Sequence, residues 1–348
     1  MPLIYPLPSL VSLNRRVGQF SRASLHPLVP QAQALAWPDA AALMAARQAH
    51  GPSEWLKTWW RSWQSQPYRP VLLGALARHP VWVCRFKQDL RYFHSAQSHL
   101  VDRRWGMSQR IEALARDLSA ADQVFGPGLA PRIASGEQVR LATLGDKLFV
   151  CLGLNDCSYH EGPWALSLRD DQGQRLYYLS LSFRSTRSVL VPTLQGPSDL
   201  AEDSRELVRR LTKQAEGLRP PALLMAALRA ACAAWGMDHL AGIAPKHHVK
   251  GRWNLRRSRL RFDYQAFWQE QGGWPGADGH WTLPTTLPLR AAADTPANKR
   301  AMYRRRQALL ARMGDAIDLT LSQREAGANL ALPLVQPPAQ RPAQSLAA

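Results

Sequence analysis

Apolar positions recur at helical spacing between residues 39 and 131. Asp39 to His50 is rich in alanine, and Met107 to Ala121 places apolar side chains on one face, as in amphipathic helices. Tryptophans follow four-residue steps in Glu54 to Trp63, a spacing more typical of a helix packed on its neighbours than of a membrane-interface belt or a ligand cage. The pattern predicts an all-α region with these tryptophans in the core: Trp55, Trp59, Trp60 and Trp63.

From about residue 132 to 194 the apolar period falls to two, which is typical of strands. Four segments carry this pattern: LFVCLGL, WALSLRD, RLYYLSLSF and SVLVPTL. Asp170-Asp171-Gln172-Gly173 supplies a hairpin loop between the second and the third. The sequence therefore predicts an antiparallel meander.

Helical signals return after the meander. Residues 197–215 predict a charged surface helix, and residues 220–235 predict a helix that is apolar nearly all round and therefore buried. A short strand is expected over residues 239–244 and an aromatic anchoring helix near Phe262 to Trp268. We divide the chain into a poorly defined segment 1–38, a helical region 39–131, an α/β core 132–320 and a disordered tail 321–348.

Charge narrows the choice of partners. The 348 residues carry a net charge of +18, a field that favours nucleic acid, anionic lipid or phosphorylated small molecules. No uncharged apolar run reaches the ~20 residues of a membrane span, and the four cysteines form neither a CxxC pair nor a disulfide-dense pattern. The expected location is the cytoplasm, with peripheral membrane contact as an alternative.

A series of blocks resembles the VirK/YbjX family of bacterial proteins, a domain of unknown function. In chain order the blocks are LQGP, GLRPPALLMAALRAACAAWGM, GIAPKHHV, FDYQAFWQEQGG, DGHWTLP and KRAMYRRRQALL, within residues 60–318. The resemblance implies a link to virulence, resistance to antimicrobial peptides, and stress or DNA-damage responses. Ala244-Pro245 departs from the Ser-Asn that the family usually has there, so any role of that Asn is in doubt.

The order of elements is also similar to the acyl-CoA-dependent N-acyltransferase (GNAT-like) fold. The expected fold class is α+β, with an N-terminal helical region packed on a GNAT-like domain that has an antiparallel meander and a buried central helix. That similarity implies an acyl-CoA diphosphate site at the start of the central helix, Leu218 to Leu223, beside Arg219. The Gly-rich cradle of that fold is absent, and two prolines remove two backbone donors.

Few residues suggest catalysis. His247 and His248 are the candidates for an acid or base, although a histidine pair in a basic loop is the simpler interpretation. His160-Glu161 is interpreted in the same way. No HExxH motif or Cys/His cluster supplies a metal site, so none is predicted.

The segment from Lys246 to Arg261 has seven basic residues and no acid. As a binding surface it would contact phosphate groups with little sequence preference; as a structural element its arginine stems would cover apolar surface. We weigh these interpretations equally. The candidate anion-binding residues come from this segment and from the start of the central helix. They are Arg219, Lys246, Lys250, Arg252, Arg256 and Arg257.

Three classes of function stay open. The first is a stress- or virulence-associated protein with an acyltransferase-like core that binds acyl-CoA or a related ligand, and whether it is an enzyme is undecided. The second is a nucleic-acid-binding regulator, although no helix-turn-helix, RNA-recognition or zinc-finger motif is visible. The third is a peripheral protein that binds anionic lipid through the basic segment.

Overall fold

The structure, a computed structural model, describes residues 35–196, 204–252, 262–287 and 296–322. Six α-helices precede the first strand in the described residues, and the longest of them leads into the sheet. The α-helices are α1 (Ala40–Ala46), α2 (Pro52–Ser65), α3 (Arg69–Arg78), α4 (Val83–Gln88), α5 (Arg91–Ser98), α6 (Met107–Ala134), α7 (Ser204–Gln214), α8 (Pro220–Trp235), α9 (Tyr264–Glu270) and α10 (Arg300–Ser322).

The strands join in one mixed sheet. They are β1 (Val139–Thr143), β2 (Leu148–Leu154), β3 (Trp164–Asp170), β4 (Arg175–Ser185), β5 (Ser188–Val191), β6 (Leu194–Gln195), β7 (His239–Gly242), β8 (Trp274–Pro275) and β9 (Trp281–Leu283). Their order is β1-β2-β3-β4-β5-β7-β9-β8, with β6 paired to β4. The class is therefore α+β, with an N-terminal helical region and a large, mostly antiparallel sheet.

The predicted meander is confirmed. Strands β2 to β5 are antiparallel neighbours, and β3 and β4 are joined by the expected hairpin. Strands β5 and β7 instead run parallel, in register from Ser188–His239 to Val191–Gly242. A parallel pair needs a long crossover connection, and here α7 and α8 lie within it.

Helices cover the sheet. Every residue of β2 is buried, which requires cover on both faces. Helix α6 contacts β1, β2 and β4, whereas α8 contacts β3 and β4 and packs along α10. The prediction of a buried helix over residues 220–235 is confirmed, and Gly236 ends it in the left-handed conformation (φ 67°), which is costly for other residues.

The prediction that the tryptophans of α2 lie in the core is wrong. Trp55, Trp59, Trp60 and Trp63 are between 44% and 53% exposed. The face that α2 buries is small and polar, namely Thr58, Ser62 and Ser65. It is held by hydrogen bonds: Arg69 donates to Ser62 Oγ (2.8 Å), and Gln97 donates to Ser65 Oγ (3.1 Å). Helix α2 therefore packs through its polar side.

Several predictions lie outside the described residues. These are the segment 1–34, the start of the helix predicted over 197–215, and the tail from residue 323. The described part of that helix, α7, is amphipathic and buries only Leu207 and Leu211. The division of the chain at residue 131 stays a proposal; α6 continues through it to Ala134.

Candidate functional site

Three loops meet beside the carboxyl end of β7. Val101 N–H donates to His160 O (2.7 Å), and Arg103 N–H donates to His247 O (2.9 Å). Asp102 and His248 form an antiparallel bridge between the same segments. The segment Val101–Arg103 thus joins the loop before β3 to the turn after β7, and two groups of charged side chains lie near it.

One group is buried, and we refer to it as the Glu161 cluster: Glu161, Tyr178, Gln195, His248 and Lys250. Tyr178 Oη donates to Glu161 Oε2 (2.8 Å), and Lys250 Nζ forms an ion pair with Oε1 (2.7 Å), although its angle is not that of a hydrogen bond. Lys250 also donates to Gln195 Oε1 (3.2 Å). Glu161 is fully buried, so its charge depends on Lys250.

The tautomer of His248 follows from its partners. Its Nδ1 accepts the Lys250 N–H (3.1 Å), so Nε2 carries the proton and donates to Thr193 Oγ1 (3.2 Å). Burial lowers the pKa of His248 to about 4, against the opposing effect of Glu161. The ring is therefore neutral at pH 7, with both nitrogens already occupied. It holds the turn in place more readily than it acts as a base.

Aromatic side chains of α9 pack next to the ends of the parallel strands β5 and β7. Tyr264 Oη bonds Thr193 Oγ1 (2.8 Å) and accepts the Leu194 N–H (3.2 Å), while Trp268 Nε1 donates to Ile243 O (2.9 Å). Both rings are almost completely buried, which confirms the predicted anchoring helix. Helix α9 is thus anchored beside these strand ends by its Tyr264 and Trp268 side chains.

The second group surrounds an open cavity of about 360 Å³, which we refer to as the arginine pocket. It lies between the amino-terminal half of α6, the end of β4 and the β8–β9 hairpin. Its lining residues are Arg104, Trp105, Ala113, Arg116, Ser182, Phe183, Arg184, Asp278 and His280. A cavity of this size is within the range of small-molecule sites.

Two of its arginines are paired. Arg184 Nη1 contacts Asp278 Oδ2 (2.5 Å), and Arg104 Nη2 contacts the buried Asp102 Oδ2 (2.6 Å). His280 Nε2 approaches the same oxygen of Asp102 (3.1 Å). Burial raises the pKa of Asp102, but hydrogen bonds from His280 and Arg104 outweigh it and hold that pKa below its usual range. Asp102 is therefore a fixed anion behind the pocket.

The third arginine, Arg116, is exposed and forms no ion pair within the ranges that the structure covers. Arg104, Arg116 and Arg184 together outnumber the acids Asp102 and Asp278, so the pocket favours an anion. Guanidinium groups match phosphate and carboxylate oxygens in pairs of hydrogen bonds.

A buried carboxyl lies under the pocket floor. Asp117 accepts hydrogen bonds from Ser182 Oγ (2.7 Å), Trp164 Nε1 (2.7 Å) and the Phe183 N–H (3.0 Å). Burial raises the pKa of Asp117 to about 7 even against these bonds. Ser182 also lines the pocket, so its hydroxyl can accept a proton from a group in the cavity while it donates its own proton to Asp117.

The candidates from the sequence are scattered. Arg219 lies in an exposed ion pair with Glu270 (2.5 Å) at the start of α8. His247 stands beside the pocket, its ring 5.9 Å from that of His280, while Lys246 is exposed. Lys250 turns inward to Glu161. Arg256 and Arg257, and the side chain of Arg252, lie outside what the structure describes.

The sequence reasoning missed the acids that surround the arginine pocket, namely Asp102, Asp117 and Asp278. Of these three, Asp117 could have been identified from the sequence pattern, because it is an acid on the apolar side of a helix, next to Leu114 and Leu118. Within residues 35–196, 204–252, 262–287 and 296–322, no cluster of His, Cys, Asp or Glu fits a metal ion. In the same part of the chain, every helix is too short or too polar to cross a bilayer.

Comparison with known proteins identifies relatives without a known activity. A family model described as "Protein of unknown function (DUF535)" matches residues 54–318. An uncharacterized protein of Haemophilus influenzae is 28% identical over 267 residues, 76% of this chain and 89% of its own length. No solved structure matches the chain significantly.

Two further relatives carry names. "Membrane protein LapB" of Mannheimia haemolytica is 31% identical over 55% of this chain and 82% of its own length. Uncharacterized protein YbjX of Escherichia coli is 26% identical over 43% of this chain and 46% of its own length. The match to YbjX confirms the resemblance that the sequence blocks indicated.

Proposed function

Since the chain belongs to the DUF535 family, whose description gives no activity, we propose that it is an acyltransferase-like protein that binds an acyl-CoA or a related phosphorylated ligand. The observation that carries the proposal is the convergence of Arg104, Arg116 and Arg184 on one open cavity. Three guanidinium groups in one concave site suit a ligand with more than one phosphate.

The acyltransferase likeness is supported by connectivity. The parallel pair β5–β7 is the exception in a mostly antiparallel sheet, and the buried helix α8 lies in its crossover. Both features occur in the fold that the sequence resembles. The likeness covers these elements and does not identify an acceptor substrate.

The pocket is a better diphosphate site than the start of α8. Pro220 and Pro221 have no N–H to offer, and the Leu223 N–H already donates to Arg219 O (3.0 Å). The Arg219 charge is partly satisfied by Glu270. In the pocket, by contrast, Arg116 has no acidic partner among the described residues.

The floor of the pocket provides a proton acceptor. When an amine or hydroxyl attacks a thioester carbonyl, its bond to the acyl carbon forms, the CoA thiolate leaves, and the nucleophile loses a proton. Ser182 Oγ lies where a bound group could contact it, and Asp117, with a pKa of about 7, accepts a proton through Ser182. On this proposal Ser182 contacts the ligand and Asp117 is the proton acceptor behind it.

Calorimetric titration tests the proposal. We expect CoA and acetyl-CoA to bind the wild type, and Arg116→Ala and Arg184→Ala each to weaken binding roughly tenfold, as for loss of a charged hydrogen bond. Arg132→Ala is the matched control, because Arg132 is an ion-paired arginine farther along the same helix. Arg219→Ala tests separately whether CoA binds at the start of α8.

Each outcome has a consequence. Weaker binding only in Arg219→Ala would move the site to the start of α8, and absence of CoA binding would contradict the proposal. Anisotropy titrations with short DNA and RNA duplexes, and sedimentation with anionic vesicles, test the alternatives of a nucleic-acid or lipid partner. The exposed Lys246 favours these alternatives, whereas the inward-facing Lys250 does not.

The biological role belongs to the same proposal. Resemblance to the VirK/YbjX family supports a function in bacterial stress, DNA-damage or virulence responses, including resistance to antimicrobial peptides. The name of the Mannheimia relative, a membrane protein, is consistent with an envelope component as the acyl acceptor. Growth of a deletion strain with cationic peptides, complemented by wild type or Arg116→Ala, measures whether the pocket serves that role.

A further inference from the structure

Helix α2 exposes a continuous apolar face, which we refer to as the tryptophan face: Trp55, Leu56, Trp59, Trp60 and Trp63. Each of these side chains is between 44% and 58% exposed. Successive residues of an α-helix lie about 100° apart, so the five fall within an arc of about 140°. Four half-exposed indoles amount to roughly 400 to 500 Å² of apolar surface, the size of the largest apolar patch on a typical monomer, and such patches are often functional.

Helix α2 is held in the fold without burial of the tryptophan face. Helix α2 is fixed by its opposite side, where Thr58, Ser62 and Ser65 are buried. The indoles instead stack on one another, with ring centroids 6.4 Å apart for Trp55–Trp59 and 5.0 Å for Trp60–Trp63. An outward aromatic face on a helix held by its polar side is therefore a surface feature that packing does not explain.

The charges beside the tryptophan face are mostly positive. Lys57 follows Trp60 around α2 by about 60°, and Arg47, the residue after α1, lies close to it through the acid Glu54 (Arg47 Nη2–Glu54 Oε2 3.5 Å; Lys57 Nζ–Glu54 Oε1 2.8 Å). In this contact two cations share one anion, which leaves an excess of positive charge. The tryptophan face itself carries no charged residue.

From this arrangement we propose that α2 docks the protein on an anionic bilayer surface, with the tryptophan face in the interfacial layer. Indole combines a large apolar ring with an N–H donor, a combination that suits the boundary between headgroups and acyl chains. Lysine and arginine beside such a face are attracted to anionic headgroups. The helix lies in the plane of the membrane and does not cross it.

A second copy of the chain fits the face less well. A stable protein interface needs about 800 Å² on each partner, roughly twice what the tryptophan face offers. Insertion into a lipid interface has no such requirement for a complementary partner surface. The proposal is independent of the arginine pocket, since α2 contributes none of its lining residues.

Flotation of the full chain with vesicles tests the proposal. The vesicles are phosphatidylcholine alone, or phosphatidylcholine mixed with phosphatidylglycerol in a ratio of three to one. We expect binding to the mixed vesicles, and at least a tenfold lower partition coefficient when Trp55, Trp59, Trp60 and Trp63 are replaced by Ser. Lys57→Glu should lower binding to the mixed vesicles by a few fold.

Two controls make the result specific. Trp274→Ser removes an equally exposed tryptophan, 54% exposed on the β8–β9 hairpin, and should leave binding unchanged. Thermal melting of each variant separates lost binding from lost fold, because replacement of exposed indoles should not lower the melting temperature. Brominated lipid should quench the wild-type fluorescence more than that of the fourfold variant.

Three results would overturn the proposal. They are equal vesicle binding by the wild type and a folded fourfold variant, no binding of the wild type to either vesicle, and a wild-type dimer by light scattering that the fourfold variant abolishes. The last would assign the tryptophan face to a second copy of the chain. None of these results bears on CoA binding, so the two proposals can fail separately.

Discussion

The Glu161 cluster and the arginine pocket use similar groups to different ends. Both place a fully buried acid next to a cation and a histidine. In the Glu161 cluster the acid contacts the surrounding side chains directly, and α9 fills the space beside it. In the pocket the buried acid stands behind a cavity that is open to solvent.

The difference teaches that access, more than residue type, separates a structural polar network from a candidate ligand site. His248 has both nitrogens occupied and a pKa near 4, so it is neither accessible nor poised at neutral pH. Ser182 lines a cavity and bonds Asp117, whose pKa of about 7 lies in the physiological range. Chemistry is therefore expected in the pocket and stability in the cluster.

The largest expected effect is on stability. Glu161→Ala leaves Lys250 and Tyr178 without their buried acceptor and should lower the free energy of unfolding by about 3 kcal/mol, the low end for a broken buried pair, because Lys250 is partly exposed. Asp278→Ala, in the pocket, removes a partner of Arg184 that water can replace and should cost less than about 1 kcal/mol. Urea unfolding measures both.

Equal losses in the two variants would remove the distinction between a closed and an open site. A double variant, Glu161→Gln with Lys250→Met, sharpens the test, because removal of both charges avoids an unpaired buried group. It should recover most of the lost stability.

The next effect is a pH dependence carried by Asp117. Its pKa is about 7 when folded and about 4 when unfolded, so the folded state holds the extra proton and its stability contribution falls as pH rises between these values. From pH 5 to pH 7 this amounts to a loss of about 2 kcal/mol. Asp117→Asn has no such titration.

His248 has the opposite sign, since its lowered pKa means that stability is lost as pH falls from about 6.5 towards 4. The two dependences partly cancel in the wild type. The measured quantity is therefore the difference between wild type and Asp117→Asn, in which the histidines cancel because both proteins contain them. A difference that stays constant from pH 5 to pH 7 would mean that Asp117 keeps an ordinary pKa.

Sequence pattern predicted elements better than it predicted faces. Helix α8 was predictable because it is apolar all round, so its burial does not depend on orientation. For α2 the tryptophan spacing identified the helix but led to the wrong prediction of which side is buried. The buried side packs through serine and threonine, and this packing depends on Arg69 and Gln97 from other helices. Such partners are visible only after folding.

The same limit applies to the candidate site. Clustering of basic residues in the sequence identified Lys250, but the structure pairs it with an acid 89 positions away, Glu161. The three arginines of the arginine pocket come from a loop, a helix and a strand. They are therefore not adjacent in the sequence, and no local cluster of basic residues predicts the pocket. Arg116 in particular reads as an ordinary exposed residue of an amphipathic helix.

The smallest expected effect compares neighbouring tyrosines on β4. Tyr178 Oη donates to Glu161, whereas the hydroxyl of Tyr177 has no hydrogen bond to another residue that the structure describes. Tyr178→Phe should therefore lower the free energy of unfolding by about 1.5 kcal/mol, the value for a bond to a charged group. Tyr177→Phe, an equally conservative change at a buried ring, should alter it by less than about 0.5 kcal/mol. In a Glu161→Gln background the loss at Tyr178 should shrink, because the acceptor no longer carries a charge. If Tyr178→Phe costs the same in both backgrounds, its hydroxyl does not stabilise the buried carboxylate, and the charge of Glu161 is stabilised by Lys250 instead.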